Sequence, residues 1–205
     1  LEETFYNVPE DYSFFEHFSD VIKWPTIFIL ISSILLFTLN NVDYLQILII
    51  PSLIVFYSFF EWVIHKFLLH KNIWPFDFLY HHHVIHHLLF KEIMEVSSLK
   101  ENFFVITPRY AILAISPLLW AIAGGLSFVS QFVALLFIIT IFSYYIAYET
   151  LHYTFHASKD HWLRKMKWVN YLAQLHTKHH QSDSRQNYNV IFPIFDIVFN
   201  TFNRK

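Results

Sequence analysis

The chain has 205 residues, 55% of them hydrophobic, 20% aromatic and only 15% charged, with a formal net charge of −2. An ordinary soluble domain is about 25% charged, so apolar residues gathered in long runs point to a membrane protein, and the near-neutral balance gives no reason to expect nucleic acid as a partner. With no cysteine, disulfides, thiolate metal sites, iron–sulfur clusters and cysteine nucleophiles are excluded.

Residues 1–23 form an N-terminal segment in which Phe14, Phe18, Val21 and Ile22 recur at helical spacing among acids, the pattern of a helix lying on the bilayer surface. The start at Leu1, without a basic region and apolar core of a leader, reads as a trimmed fragment. Residues 24–60 read as a first helical pair. Nineteen uncharged residues separate Lys23 from Asp43 and seventeen separate Asp43 from Glu61, each run near the roughly 20 residues of a transmembrane helix. Pro51 is expected to kink the second helix and Pro117 the third.

Residues 61–109 hold two groups of histidines, and residues 110–148 read as a second helical pair with its turn at Gly124-Gly125, the two glycines of the chain. Its first member is short. It either begins near Phe103, with Arg109 reaching to the interface, or forms a shallow re-entrant pair with its neighbour. Residues 149–205 hold two further histidine groups. The second and fourth helices, Tyr44–His70 and Ser127–His156, are predicted to be 27 and 30 residues long. At about 1.5 Å per residue they outrun a hydrocarbon core of about 30 Å and carry histidines beyond it.

The predicted architecture is therefore a single all-α domain over residues 1–205. It is an integral membrane bundle of about four transmembrane helices with a helical cap at one end. All fourteen lysines and arginines fall on the cap side, and the opposite loops, "NNVD" and "GGLSFVS", contain none. The positive-inside rule makes the cap face cytoplasmic, in a bacterial cytoplasmic membrane or the endoplasmic reticulum.

Ten of the fourteen histidines form four spaced groups: His65 with His70, then His83, His86 and His87, then His152 with His156, and finally His176, His179 and His180. On a helix, positions i, i+3 and i+4 share a face, so each of the last three groups is expected to aim its rings in one direction. His65 and His70 lie roughly 140° apart on an α-helix and can share a site at the helix end or beside a local distortion. Imidazole is a common metal ligand. Ten rings exceed the four ligands of zinc or the six of iron, so two ions with about five nitrogens each are expected. Transport sites lie near the bilayer midplane, whereas these rings sit at one surface above a phenylalanine-rich interior. That placement suits chemistry on a lipid; a non-catalytic metal-binding or transport protein is the alternative of another class.

From about Phe56 to Thr201 the four boxes, in this order and spacing, resemble the integral-membrane fatty acid hydroxylase and sterol desaturase superfamily. The four residues inside the first box and the three inside "HYTFH" resemble its fatty acid 2-hydroxylase branch. The resemblance implies that all ten histidines bind two metal ions, with iron expected and zinc able to occupy purified protein. It implies dioxygen as co-substrate and hydroxylation of a lipid C–H bond, most simply in a fatty acyl chain; a sterol, carotenoid or ether lipid is the alternative within the superfamily. Nothing in the chain resembles the fused haem domain of some relatives, so electrons are expected from a separate protein, or the fragment has lost that domain. Ring nitrogens facing away from a metal need partners, for which Glu61, Glu149, Asp160, Asp183 and Asp196 are available, with Glu61, Glu149, Asp196 and His82 the favoured supporting residues. His81 lies outside the pattern, and His17 and His161 are expected to be ordinary interfacial residues.

Tags placed in the 71–77 loop and after Lys205 should both be cytoplasmic, and tags near Asn41 or Gly125 should not, as read by protease protection. Tags in the 71–77 loop and at the C-terminus on opposite faces would make a shared metal site impossible.

Overall fold

The structure is a computed structural model and describes residues 8, 11–39, 44–108 and 111–204. The loop at residues 40–43, and Arg109 with its expected reach to the interface, lie outside the described residues. The described residues are helices and connecting turns, without strands.

Helix α1 spans Phe14–Thr38, its first turn capped by Ser13, whose Oγ accepts from the Glu16 amide at 3.4 Å. It runs unbroken through the boundary expected near residue 23, so the amphipathic N-terminal stretch and the first span are one helix, with Pro25 inside it. The second long segment is built of three helix types. A 3₁₀ stretch, Tyr44–Ile49, leads into α2, Ile50–Val63, which continues as a π-helix over Ile64–Leu69. Pro51 sits in the first turn of α2, where its missing N–H breaks no helical bond. The helix type changes from 3₁₀ to α just before it.

The cap begins with α3, Asp77–Leu89, and α4, Leu99–Val105, the latter opened by a capping box between Ser98 and Glu101. Helix α5, Ala111–Ser127, contains Pro117 and passes straight through Gly124 and Gly125, neither of which has a positive φ. The turn comes later, at Phe128 and Val129, where Ser130 caps α6, Gln131–His156, by accepting from the Val133 amide at 3.2 Å. There Ser130 satisfies one of the amides left without a partner at the start of α6. After a 3₁₀ turn, Trp162–Lys165, the chain forms α7, Lys167–Gln181, and a short α8, Ile194–Val198.

Helix α1, the segment Leu45–Leu69 and α6 are 25, 25 and 26 residues long and apolar enough to cross a membrane. Helix α5 is apolar but has 17 residues, about 25 Å against a core of about 30 Å, and is the short member of its pair, as expected. The π segment and the last turn of α6 meet at one histidine-bearing end, so α5 and α6 together leave that end and return to it.

One apolar core joins the spans through Leu53, Tyr57, Ile112, Phe137, Ile138 and Phe142. A second ties the end of α6 to the cap through Leu151, Phe155, Val169, Leu172, Leu175 and Val190. Tyr57 links α2 to α6 with hydrogen bonds to Thr140 Oγ1 at 2.8 Å and the Phe137 carbonyl at 3.1 Å. Removing this hydroxyl orphans nothing, because Thr140 keeps its bond to the Leu136 carbonyl at 2.7 Å. Tyr57→Phe should therefore lower stability by about 1 kcal/mol, read as a small fall in Tm with metal content unchanged. A loss of metal content would mean that this contact also holds the cap.

Candidate metal centre

The π-helix solves the spacing of the first histidine pair. Its wider turn, closed by i→i+5 hydrogen bonds, brings the fifth residue back over the first, and the His65 and His70 rings stack 5.2 Å apart at 18°. The two triplets behave differently from the expected single direction, because each divides. In α3, His83 and His87 turn one way and His86 the other; in α7, His176 and His180 share a direction that His179 does not. At about 100° per residue, i+4 falls about 40° to one side of i and i+3 about 60° to the other, enough to send neighbouring rings to different centres.

The result is two sets of five. His65, His70, His83, His87 and His179 form one; His86, His152, His156, His176 and His180 form the other, and in each set the ring nitrogens offered lie within 4.8 Å of one another. In the first set, Nε2 atoms face Nε2 atoms at 3.1–3.3 Å. In the second they do so at 3.0–3.1 Å, and the buried Nε2 of His152 has no hydrogen-bond partner.

For three of these rings the backbone decides which nitrogen carries the proton. Nδ1 of His65 faces the Tyr188 carbonyl at 2.5 Å, Nδ1 of His179 the Gln186 carbonyl at 2.6 Å, and Nδ1 of His156 the Met94 carbonyl at 3.0 Å. A carbonyl only accepts, so the proton of each neutral ring is on Nδ1 and Nε2 presents a lone pair. Burial, reinforced by neighbouring imidazoles, holds His83, His86, His176 and His180 well below the usual imidazole range. Burial lowers His70 to about 4 and, with His70 beside it, His179 to about 3. The rings are neutral at pH 7, as ligands must be. Lone pairs about 3.0 Å apart repel unless a cation lies between them, and nitrogens bound at right angles about 2.1 Å from one ion are spaced in that way. The residues present fit two metal ions.

The carboxylates act at one remove from the rings. Four successive amides, residues 188–191, are held by two acids: Asp196 accepts from Tyr188 N at 2.9 Å and Asn189 N at 2.8 Å, and Glu61 accepts from Val190 N and, at 3.2 Å, Ile191 N. Thr201 and Tyr144 complete the two acids, donating to Asp196 at 2.7 Å and to Glu61 at 2.5 Å. This braced segment carries the carbonyl that orients His65. A second brace serves the other set. Glu149 accepts from Thr107 N at 3.3 Å, and the His82 ring packs 5.1 Å from Phe104 in the same segment. Of the expected supporting residues, Glu61, Glu149 and Asp196 thus hold backbone rather than imidazole, and His82 packs against Phe103 and Phe104.

Asp160 is exposed, and Asp183 pairs with Arg185 at 3.0 Å. His81 and His161 lie outside both sets. His17, expected at an interface, is instead buried, its ring 5.7 Å from Tyr12 and 5.2 Å from Phe103. The sequence reading missed the carbonyls of Met94, Gln186 and Tyr188, whose role depends on no side chain. It also missed Asn187, which takes φ 53° and whose amide nitrogen donates to Leu175 O at 3.3 Å and Asn203 O at 3.1 Å. An asparagine before an aromatic residue is the one local signal, since asparagine tolerates the left-handed region. A cavity of about 520 Å³ opens over the site, floored by His70, His83, His87 and His180, with Lys91, Tyr80 and the 181–184 turn on its walls.

Asp196→Ala strips the acceptor from two buried amides at about 1–3 kcal/mol each, so Tm should fall. Metal affinity should drop about 10–100-fold, as for a lost outer partner of a ligand. Asp183→Ala, on the exposed turn, should leave both measurements unchanged; equal losses in the two variants would remove the bracing role.

A fatty acid hydroxylase family model matches residues 50–201, the stretch from the start of α2 to just beyond α8. No curated protein and no solved structure matches the chain. The matched stretch contains all ten clustered histidines and both bracing segments, and the chain belongs to the fatty acid hydroxylase family.

Proposed function

We propose that the chain is a membrane-bound dimetal oxygenase that hydroxylates a C–H bond of a fatty acyl lipid. One observation carries the proposal: two sets of five neutral imidazoles, their lone pairs converging, at the end of a bundle of span-length apolar helices. His65, His70, His83, His87 and His179 would hold one ion, and His86, His152, His156, His176 and His180 the other. When bound, a pair of redox metal ions, iron in this reading, supplies the activation of dioxygen that side-chain acids and bases cannot provide for an unactivated C–H bond. Nitrogen-rich sites accept iron and zinc alike, and zinc outranks ferrous iron in the general affinity order. Zinc in purified protein is therefore compatible with iron in the working enzyme.

The protein's own part is to hold and to orient. The carbonyls of Tyr188, Gln186 and Met94 fix the tautomers of His65, His179 and His156, and the brace formed by Asp196 and Glu61 keeps the first of these in place. The cavity supports a substrate whose polar head lies beside the centres. Its walls carry Lys91 and the hydroxyls of Tyr80, Ser182 and Ser184, with half-buried His87 below. A head group there sets the oxidised carbon a few bonds away, which agrees with the fatty acid 2-hydroxylase spacing of the first and third boxes. Two electrons per turnover come from a separate donor protein on the cytoplasmic side, the side assigned by the placement of the cations.

Purified protein loaded with ferrous iron should hold close to two ions per chain. Given dioxygen and a chemical or protein reductant, it should return acyl lipid one oxygen heavier, and lipid analysis of expressing cells should find the same product. One ion per chain in fully active protein, or tight metal binding with no oxygen uptake on any lipid, would sink the proposal. Alanine at His83, His86 or His87 should each abolish turnover and lower metal content, while His81→Ala should retain most of both. Loss at His81 with retention at His83 would mean that the ligand assignment of that box is wrong.

A further inference from the structure

Between the end of α6 and the start of α7 the chain reads "WLRKMKW", residues 162–168, and its apolar side chains divide in two directions. Leu163 packs against the apolar core of the cap, as does Val169 just beyond. Trp162, Met166 and Trp168 point the other way and are 67%, 42% and 51% exposed. Two indoles and a thioether outside the core within seven residues are costly in water, where large aromatic residues seldom remain so open. Among them stand Lys165 and Lys167, both exposed, with Lys159 and Asp160 just before. Arg164 ties the segment down, donating from Nη1 to the Phe155 carbonyl at 2.8 Å. The stretch 159–168 thus sets four cations against one acid, and the first turn of α7 contains no acidic residue.

We infer that this surface, built on Trp162, Lys165, Met166, Lys167 and Trp168, rests on the head-group layer of the membrane that α6 crosses and selects anionic lipid there. Two observations choose a bilayer over a protein partner. The segment begins six residues after the end of span-length α6, so short covalent reach keeps it near the level at which that helix leaves the hydrocarbon. Its chemistry, indoles interleaved with lysines, is that of interfacial anchors: indole favours the head-group level, and lysine is drawn to anionic lipid. The consequence reaches the centre, because α7 starts at Lys167 and carries His176, His179 and His180, residues of both sets. One lipid contact fixes the depth of three of the ten rings.

The chain has no cysteine, so a single spin label introduced by Met166→Cys is unambiguous, with Glu92→Cys as the water-exposed reference. In nanodiscs containing phosphatidylglycerol, the label at 166 should collide more with dissolved oxygen than with a water-soluble nickel chelate, and the label at 92 should do the reverse. Replacing phosphatidylglycerol by phosphatidylcholine, or combining Lys165→Glu with Lys167→Glu, should raise nickel access at 166 while Tm and metal content stay unchanged. Nickel access at 166 equal to that at 92 in every bilayer would overturn the inference and return the patch to water or a protein partner. A buried label indifferent to lipid charge and to charge reversal would overturn the selection of anionic lipid. The outcome does not depend on whether the protein is an oxygenase.

Discussion

Ten imidazole nitrogens are gathered into two sets of five, and the rest of the structure depends on that constraint. Neutral rings about 3 Å apart at their unprotonated nitrogens do not attract, so nothing within the sets themselves holds them together. The scaffold does so. Apolar packing brings the ends of α2 and α6 to one level, burial keeps the rings neutral, and backbone carbonyls decide which nitrogen of His65, His156 and His179 turns inward.

The two centres are assembled by the same rule. Each takes both members of one spaced pair, the i and i+4 members of one triplet, and the i+3 member of the other triplet. The first is made by the π segment and α3 with His179 borrowed from α7; the second by α6 and α7 with His86 borrowed from α3. Because each half lends one ring to the other, neither centre is complete within half of the chain. Each lent ring stacks on the first ring of its own triplet, His86 on His83 at 5.5 Å and His179 on His176 at 5.9 Å. Apolar cores that join the spans to one another and the cap to α6 are therefore part of the site, since a shift between the halves would move a nitrogen in each set.

The same division governs the surrounding polar residues. A carboxylate bonded directly to imidazole would add charge to the pocket and strengthen the ligand. Here the acids are spent on peptide groups, Glu61 and Asp196 on four amides beside the first set and Glu149 on one beside the second. Glu61 and Asp196 meet N–H and hydroxyl donors, the condition under which burying them is tolerable, whereas Glu149 has one amide on Oε2 and no partner on Oε1. The gain is rigidity: a peptide plane clamped by its neighbour's hydrogen bonds offers a carbonyl in one direction only.

The composition and the charge-free runs determined an all-helical membrane bundle, and the spacing of ten histidines determined two metal-sized groups of about five. Both are consequences of local periodicity, which needs no knowledge of neighbours. Periodicity also located the weak third span, and it allowed that His65 and His70 would need a distorted helix. It misread the turn after α5, which comes not at the glycine pair but where Ser130 caps α6. It did not divide the triplets, because a 40° or 60° offset around a helix acquires a meaning only when a second helix stands on one side. The division of labour among the acids was hidden for a related reason. Glu61, four residues before His65, lies on the ring's side of the helix, but only the tertiary fold brings residues 188–191 within reach of its oxygens, and an amide that cannot otherwise be satisfied claims them first.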